Sequence, residues 1–342
     1  MYILNFFLTI TLIFCIFASA KKVGYLNESK SIEERKIHSF TTIRIGGLSF
    51  ISLLILLSFI DFQQFFFLIF FSFLILILGL VEDLTLSINN YLRLFLLILI
   101  ISFYVAFQNF YILNFEYHLL STFLSYNTLF AFLFILIGFL LIINGFNFVD
   151  GTNGLLLGMS LLITLILLAH SYNQSDYIYL ISSLCFTSIL ALFIFNFFSG
   201  KILTGDGGAY FLGILIGSIC IFASKEGLMN EFEIACLIFY PVIEVLFTSL
   251  RRLSQGKSPF EPDDLHLHFI LYKIIKIKLK NRFSYTFYNS LTSLLILFPL
   301  SLIFVIIYFV FSSINFFFAY IILNLLYLIN YYILALTLKK LK

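Results

Sequence analysis

Asn144, Asn147 and Asp150 recur every third residue in the segment Asn144-Gly-Phe-Asn-Phe-Val-Asp150-Gly-Thr-Asn153-Gly-Leu155. On a helical turn this spacing sets two amides and a carboxylate on one face. Asp150-Gly151 and Asn153-Gly154 then add turn chemistry with exposed backbone donors. Such a set suits a sugar, a nucleobase or a metal-bound phosphate. A plain inter-helix turn explains the glycines but not Asn144 and Asn147. Upstream, Glu82-Asp83 closes an apolar run as Gly79-Leu-Val-Glu-Asp-Leu84. Two carboxylates at a helix C-terminus oppose the macrodipole and need a compensating cation. A divalent ion with a diphosphate provides one; a solvated acidic loop paired with Arg93 is the ordinary alternative.

Three further segments are polar. Lys201-Ile-Leu-Thr-Gly205-Asp206-Gly207-Gly208 sets a carboxylate among glycines just before a helix. Its backbone N–H groups could meet phosphate while Asp206 holds a cation, or Asp206 could be an N-cap. Between Arg251-Arg252 and His266-Leu-His268 runs a stretch with Gly256, Lys257, Pro259, Pro262 and Asp263-Asp264. Two histidines two apart fit an extended segment better than one helix face, and no further ligands at zinc spacing follow. Arg35-Lys36-Ile-His38 and Arg44-Ile-Gly-Gly47 form a basic segment suited to a lipid phosphate or to anionic headgroups in general. Glu244, in the apolar stretch that contains Pro241, is expensive in lipid and is expected to face the interior.

The elements that must position these residues are set by composition. Of 342 residues, 62% are hydrophobic and 11% charged, where a soluble domain carries about a quarter charged. Lipid is therefore the solvent, and nucleic acid is not an expected partner. Cys15, Cys185, Cys220 and Cys236 all lie in apolar stretches without ligand spacing, as buried small hydrophobes do. The first apolar run has its positive charge after it, at Lys21-Lys22, the reverse of a cleavable signal, and is expected to be a retained span. Eleven stretches, about 2–20, 45–60, 65–81, 92–108, 122–145, 154–170, 177–198, 208–223, 233–250, 285–311 and 315–337, can each cross about 30 Å of hydrocarbon as a helix. With the N-terminus outside, every Lys and Arg except Lys225 falls on the inside, as the positive-inside rule requires. The same inside loops hold Glu82-Asp83, Asn144 to Asn153, Asp206 and Arg251 to His268. All the chemistry is therefore expected on one face beside the membrane.

In order and spacing, RKIH, RIGG, GLVEDL, NGFNFVDGTNGL, GDGGAYFLG, YPVIEVLF, RR and SPFEPDDLHLH resemble the polyprenyl-phosphate N-acetylhexosamine-1-phosphate transferases. These are glycosyltransferase family 4, and the WecA-like branch is the better match. The resemblance covers about residues 21–275. It implies an all-α polytopic membrane protein, a single domain over residues 1–342, with about ten or eleven spans and an active site in cytoplasmic loops at the inner membrane. The implied reaction moves a sugar 1-phosphate, with GlcNAc 1-phosphate as default, from a UDP-sugar to undecaprenyl or another polyprenyl phosphate. UMP leaves, Mg²⁺ is required (Mn²⁺ as an alternative), and the product starts a cell-envelope glycan such as O-antigen. A homo-oligomer is compatible with this.

Carried over residue by residue, the resemblance makes Glu82, Asp83 and Asp150 catalytic and gives Asp206 and Asp83 to the metal. Arg44, Asn144, Asn147, Asn153, Arg252, His266 and His268 are expected to bind substrate, the cations and histidines as fixed charges or donors to phosphate. Glu82 stands where the family usually has aspartate, and Phe269 replaces a further histidine. Both departures point away from the branch that makes the first lipid intermediate of peptidoglycan, which remains the alternative within the class. A transporter or flippase for an anionic nucleotide-sugar or lipid carrier is the competing class. Against it, the sequence has no inverted repeat, and Glu244 is its single charge toward the membrane midplane.

Overall fold

Backbone in lipid has no hydrogen-bond partner but itself, so apolar stretches of this length become helices. The computed structural model describes residues 1–23, 42–85, 88–111, 121–122, 124, 126–259, 263–310 and 315–341. They form α1 (Tyr2–Val23), a 3-10 turn (Gly46–Phe50) running into α2 (Ile51–Thr85), α3 (Asn90–Phe107), α4 (Thr128–Val149), α5 (Leu155–Ser171) and α6 (Asp176–Ser199). Then follow α7 (Gly205–Lys225), α8 (Glu231–Leu237), α9 (Phe239–Ser254), α10 (Leu267–Lys278), α11 (Tyr285–Val305) and α12 (Phe316–Leu341). Among the described residues the one β pairing is a parallel bridge between Ile43 and Ile202. Arg35, Lys36, His38 and Pro262 lie outside the described residues.

The fold is the expected all-α membrane bundle. Among the described residues, eight helices are long and apolar enough to span, or nine if α8 and α9, bent by 75°, make one broken span. The eleven expected stretches map onto fewer such helices for two physical reasons. First, α5 has 17 residues and is shorter than each of the eight spanning helices, the shortest of which has 18. Second, the stretches at 45–60 and 65–81 belong to one element, broken at Asp61 by an extended conformation (φ −154°, ψ 91°). Asp61 Oδ1 accepts from Gln64 N at 3.0 Å, capping the second half in the manner of an N-cap. The break reverses the chain. Gly47 and Gly79 would be about 48 Å apart on a straight helix at 1.5 Å per residue, yet Gly47 packs on Gly208 and Gly79 on Gly207. The two halves of α2 therefore run back on each other.

α7 is the post around which this hairpin, α4, α5 and α6 pack. Its residues are buried from Gly205 to Cys220, with Asp206 the one exception. Glycine permits the closest approaches: a Cβ on Gly79 would lie 2.4 Å from Gly207 Cα, and one on Gly47 would lie 2.3 Å from Gly208 Cα. Such small-residue contacts bring helix backbones together where lipid supplies no hydrophobic drive. α1 is tied on by polar groups instead. Asn5 Nδ2 donates to Leu184 O at 2.8 Å and to Ser188 Oγ at 2.9 Å, and Thr9 Oγ1 meets Ser52 Oγ at 2.8 Å. As expected for an intramembrane carboxylate, Glu244 is fully buried.

Candidate active site

The N-terminus of α7 carries unpaired backbone N–H groups and the positive end of the helix dipole. Two carboxylates from elsewhere in the chain satisfy them. Asp83, at the end of α2, accepts from Asp206 N and Gly207 N, each at 3.0 Å. Asp150, the C-cap of α4, accepts from Gly205 N at 3.0 Å. This corrects two sequence expectations. The Gly205, Asp206 and Gly207 amides are bound to protein carboxylates instead of being offered to phosphate. Asp206 is not the N-cap either; Thr204 holds that position. Asp83, at 4% exposure, caps the helix with both carboxylate oxygens.

Residues 43–47 close the second side. Ile43 N donates to Lys201 O, Leu203 N to Ile43 O, Gly46 N to Leu203 O and Gly47 N to Thr204 O, at 2.8 to 3.0 Å. The clasp presses Arg44 O so close to Gly205 that a Cβ there would lie 1.7 Å away, and Gly205 has φ +75°. Only glycine fits both conditions. Arg44 itself is exposed, and its charge acts on Asp83 and Asp206.

Asp206 is thus the carboxylate left facing outward from the first turn. Arg93 lies 3.7 Å from its Oδ2 and also pairs with Glu82. Asn147 and Tyr210 lie beside Asp206, and Asn147 Nδ2 donates to Tyr210 Oη at 3.2 Å. The ordinary reading of Glu82, an acid paired with Arg93, is therefore what the structure shows. Asn144, by contrast, donates to Leu140 O of its own helix at 2.7 Å. Burial pushes the Asp150 carboxyl well above the usual carboxylate range, although the Gly205 N–H and the Thr204 hydroxyl pull it down.

The turn at 147–151 joins this acidic cluster to the histidines. His268 is fully buried, and a Cβ on Gly151 would lie 2.3 Å from its Nε2. His266 lies parallel to His268 with centroids 5.6 Å apart, and edge-on to Phe148 at 5.0 Å. Phe269 packs on His268 at 4.2 Å. Burial, reinforced by His266, lowers His268 well below the usual histidine range. This environment favours the donor role expected of His268 over that of a fixed charge. Arg252 is placed differently: it is buried, and its Nε donates to Ser258 O at 2.7 Å, holding the 255–259 turn. Arg251 pairs with Asp263. Asn153 is fully buried against Gly200, and neither amide atom has a protein partner.

Three residues of the site escaped the sequence reading as site residues. Arg93 was weighed only as a partner for the acidic pair. Tyr210 follows Asp206 by four, the spacing that shares a helix face. Asn196 accepts from Gly154 N and donates to Ile202 O, both at 2.6 Å, which ties the Asp150 turn to the Arg44 clasp. Its only sequence signal is an amide among apolar neighbours.

Fold and site together define a polytopic membrane protein with clustered carboxylates and basic side chains at one end of a central helix. Residues 65–224 match the model for glycosyl transferase family 4, a span that holds the acidic cluster but not the histidines. The chain is 32% identical over 238 residues to the phospho-N-acetylmuramoyl-pentapeptide-transferase of Dictyoglomus thermophilum, covering 66% of this chain and 74% of that one. It is 31% identical over 144 residues (42% and 43%) to the undecaprenyl-phosphate alpha-N-acetylglucosaminyl 1-phosphate transferase of Thermotoga maritima. To the decaprenyl-phosphate N-acetylglucosaminephosphotransferase of Mycobacterium leprae it is 27% identical over 155 residues, 39% of each chain. It thus spans about two fifths of the length of these last two relatives. The chain belongs to glycosyl transferase family 4.

Proposed function

We propose that this chain transfers a sugar 1-phosphate, with N-acetylglucosamine 1-phosphate as the default, from a UDP-sugar to a polyprenyl phosphate and releases UMP. The observation that carries the reading is the outward carboxylate of Asp206, set between Arg93, Asn147 and Tyr210 on a helix end that Asp83 and Asp150 hold rigid. In the reaction an oxygen of the lipid phosphate bonds to the sugar-bearing phosphorus. The bond from that phosphorus to the bridging oxygen breaks, and UMP leaves with the electron pair. Arg44 is exposed beside the acids and is suited to pair with a phosphate.

The donor set fits a divalent cation of the Mg²⁺ type, which takes one or two carboxylates plus substrate phosphates and water. Among the described residues no three acidic, His or Cys side chains are grouped so as to hold a metal ion by themselves. Asp206 would hold Mg²⁺, or Mn²⁺ in its place, with Asp83 behind it; when bound, the ion supplies charge neutralisation between two anionic reactants.

The test is UMP formation by purified protein with undecaprenyl phosphate, Mg²⁺ and a panel of UDP-sugars, the lipid product being read by mass. UMP that requires both donor and acceptor is expected. None with any UDP-N-acetylhexosamine would remove the transferase reading and favour the transporter class. UDP-N-acetylmuramoyl-pentapeptide belongs in the panel, because a relative covered over 74% of its length is named for the phospho-N-acetylmuramoyl-pentapeptide group. Glu82 and Phe269 favour the N-acetylhexosamine branch.

The site is proposed to face the cytoplasm at the inner membrane, where UDP-sugars are made. A cysteine replacing exposed Lys257 should then react with a membrane-impermeant thiol reagent only from the cytoplasmic side, and one replacing exposed Gln174 only from outside. The reverse pattern would overturn the orientation.

A further inference from the structure

Glu244 is a fully buried carboxylate that the reaction outlined above does not use. It lies on α9, beyond the 75° bend between α8 and α9. A charge in that position persists only if its oxygens are engaged. Oε1 accepts from Leu267 N at 3.2 Å, in the first turn of α10. Oε2 lies 3.2 Å from His266 Nδ1. His266 has the extended backbone of an N-cap, but its side chain makes no cap bond. Glu244 takes that task, which leaves the imidazole for another.

The other contacts of the ring are with aromatic faces and one hydroxyl. His268, Phe148 and Phe269 surround it, and Thr248 Oγ1 lies 3.3 Å from the same Nδ1. Tyr240 and Tyr327 flank the carboxylate, and Tyr331 Oη donates to Leu265 O at 3.1 Å, fixing the segment that enters α10. A carboxylate can only accept, so the proton of a neutral ring belongs on Nδ1, and Nε2 is the nitrogen left for a ligand.

We infer that Glu244 is a positioning residue acting through His266: it holds the proton on Nδ1, supports the protonated ring, and thereby presents Nε2 to a substrate phosphate. The assignment of a phosphate as the ligand rests on the transferase reading; the Glu244–His266 coupling does not.

Two measurements separate the two. In detergent-solubilised wild type carrying ¹⁵N-histidine, with His266→Gln used to assign the signal, His266 is expected as the Nδ1–H tautomer at alkaline pH. An Nε2–H tautomer would overturn the inference, whatever the enzyme does. Glu244→Gln keeps an oxygen for Leu267 N but can donate from its amide, so the tautomer should switch to Nε2–H. Acceptor-dependent UMP release should fall about a hundredfold in kcat, with the KM for the UDP-sugar changed less than about threefold, and Glu244→Asp should recover part of the loss. Thr248→Val should leave both tautomer and rate unchanged. An unaltered tautomer in Glu244→Gln, or equal losses in kcat for Thr248→Val, would reduce Glu244 to a helix cap. If the wild type shows Nδ1–H and the switch occurs but no donor yields UMP, the coupling stands and the transferase reading fails.

Discussion

Asp206→Asn is expected to lower acceptor-dependent UMP release about a thousandfold while the protein still purifies folded. The amide is nearly isosteric, and the backbone N–H of residue 206 would still donate to Asp83. The end of α7 therefore stays capped. What disappears is a negative charge placed 3.7 Å from Arg93 and beside Asn147 and Tyr210. A cation at the diphosphate would then lose its outward protein ligand, and Arg93 one of its two acids. The measurement is UMP release across a Mg²⁺ titration, with thermal unfolding in detergent as the folding control. A variant that keeps most of its Mg²⁺-dependent rate would remove Asp206 from the metal site. Asp83→Asn gives a different expected signature: it replaces one of the two Asp83 oxygens that accept at the α7 terminus with a donor, so stability and rate should fall together.

The second large effect concerns stability. Gly79→Ala would place a methyl 2.4 Å from both Cα and N of Gly207 and 2.6 Å from the carbonyl carbon of Asp206. These are backbone atoms of a helix packed on every side, so no side chain can swing away. Overpacking in a tight interior costs about 1–3 kcal/mol, and here the top of that range is expected. Separating α2 from α7 would also draw Asp83 off the amides it caps, so activity should fall with the melting temperature. Gly138→Ala is the control: nothing lies within 4 Å of a Cβ at that position, and alanine is the better helix former. Equal melting temperatures for the two variants would mean that α2 and α7 are not in glycine contact.

Much of this arrangement could be read from residue types. The long apolar stretches gave helices, the amides and acids gave a single functional face, and Glu244 was placed inside because a lone carboxylate has nowhere else to go in lipid. The illegible part is long-range. Asp83 meets residues 206 and 207, and nothing in Gly-Leu-Val-Glu-Asp-Leu says that its partners are backbone amides more than a hundred positions away. The glycines around Asp206 looked like a phosphate loop because local sequence cannot distinguish a glycine open to a ligand from one pressed on another helix. Arg252 looked like a phosphate ligand for the same reason; its guanidinium is committed to a turn six residues on. The spacing put Asn144 and Asn147 on one face of a helical turn, and they sit on the last turns of α4, which runs four residues past the apolar stretch expected to end at 145. A helix facing protein tolerates polar residues that a helix facing lipid would not.

The burial of α7 also bears on how the chain is built. With glycines at 205, 207, 208, 213 and 217, this helix gives up roughly 1 kcal/mol per glycine relative to alanine as an isolated segment. Its closest fits are to Ile143, Phe139, Gly47 of the 3-10 turn and the second half of α2, and the elements packed most heavily against it, the 3-10 turn, α2, α4, α5 and α6, all precede it in the chain. During synthesis from the N-terminus, the ribosome therefore delivers the socket before the post. When Gly205 emerges, Asp83 and Asp150 are already made, and the arriving helix is docked through its first three amides.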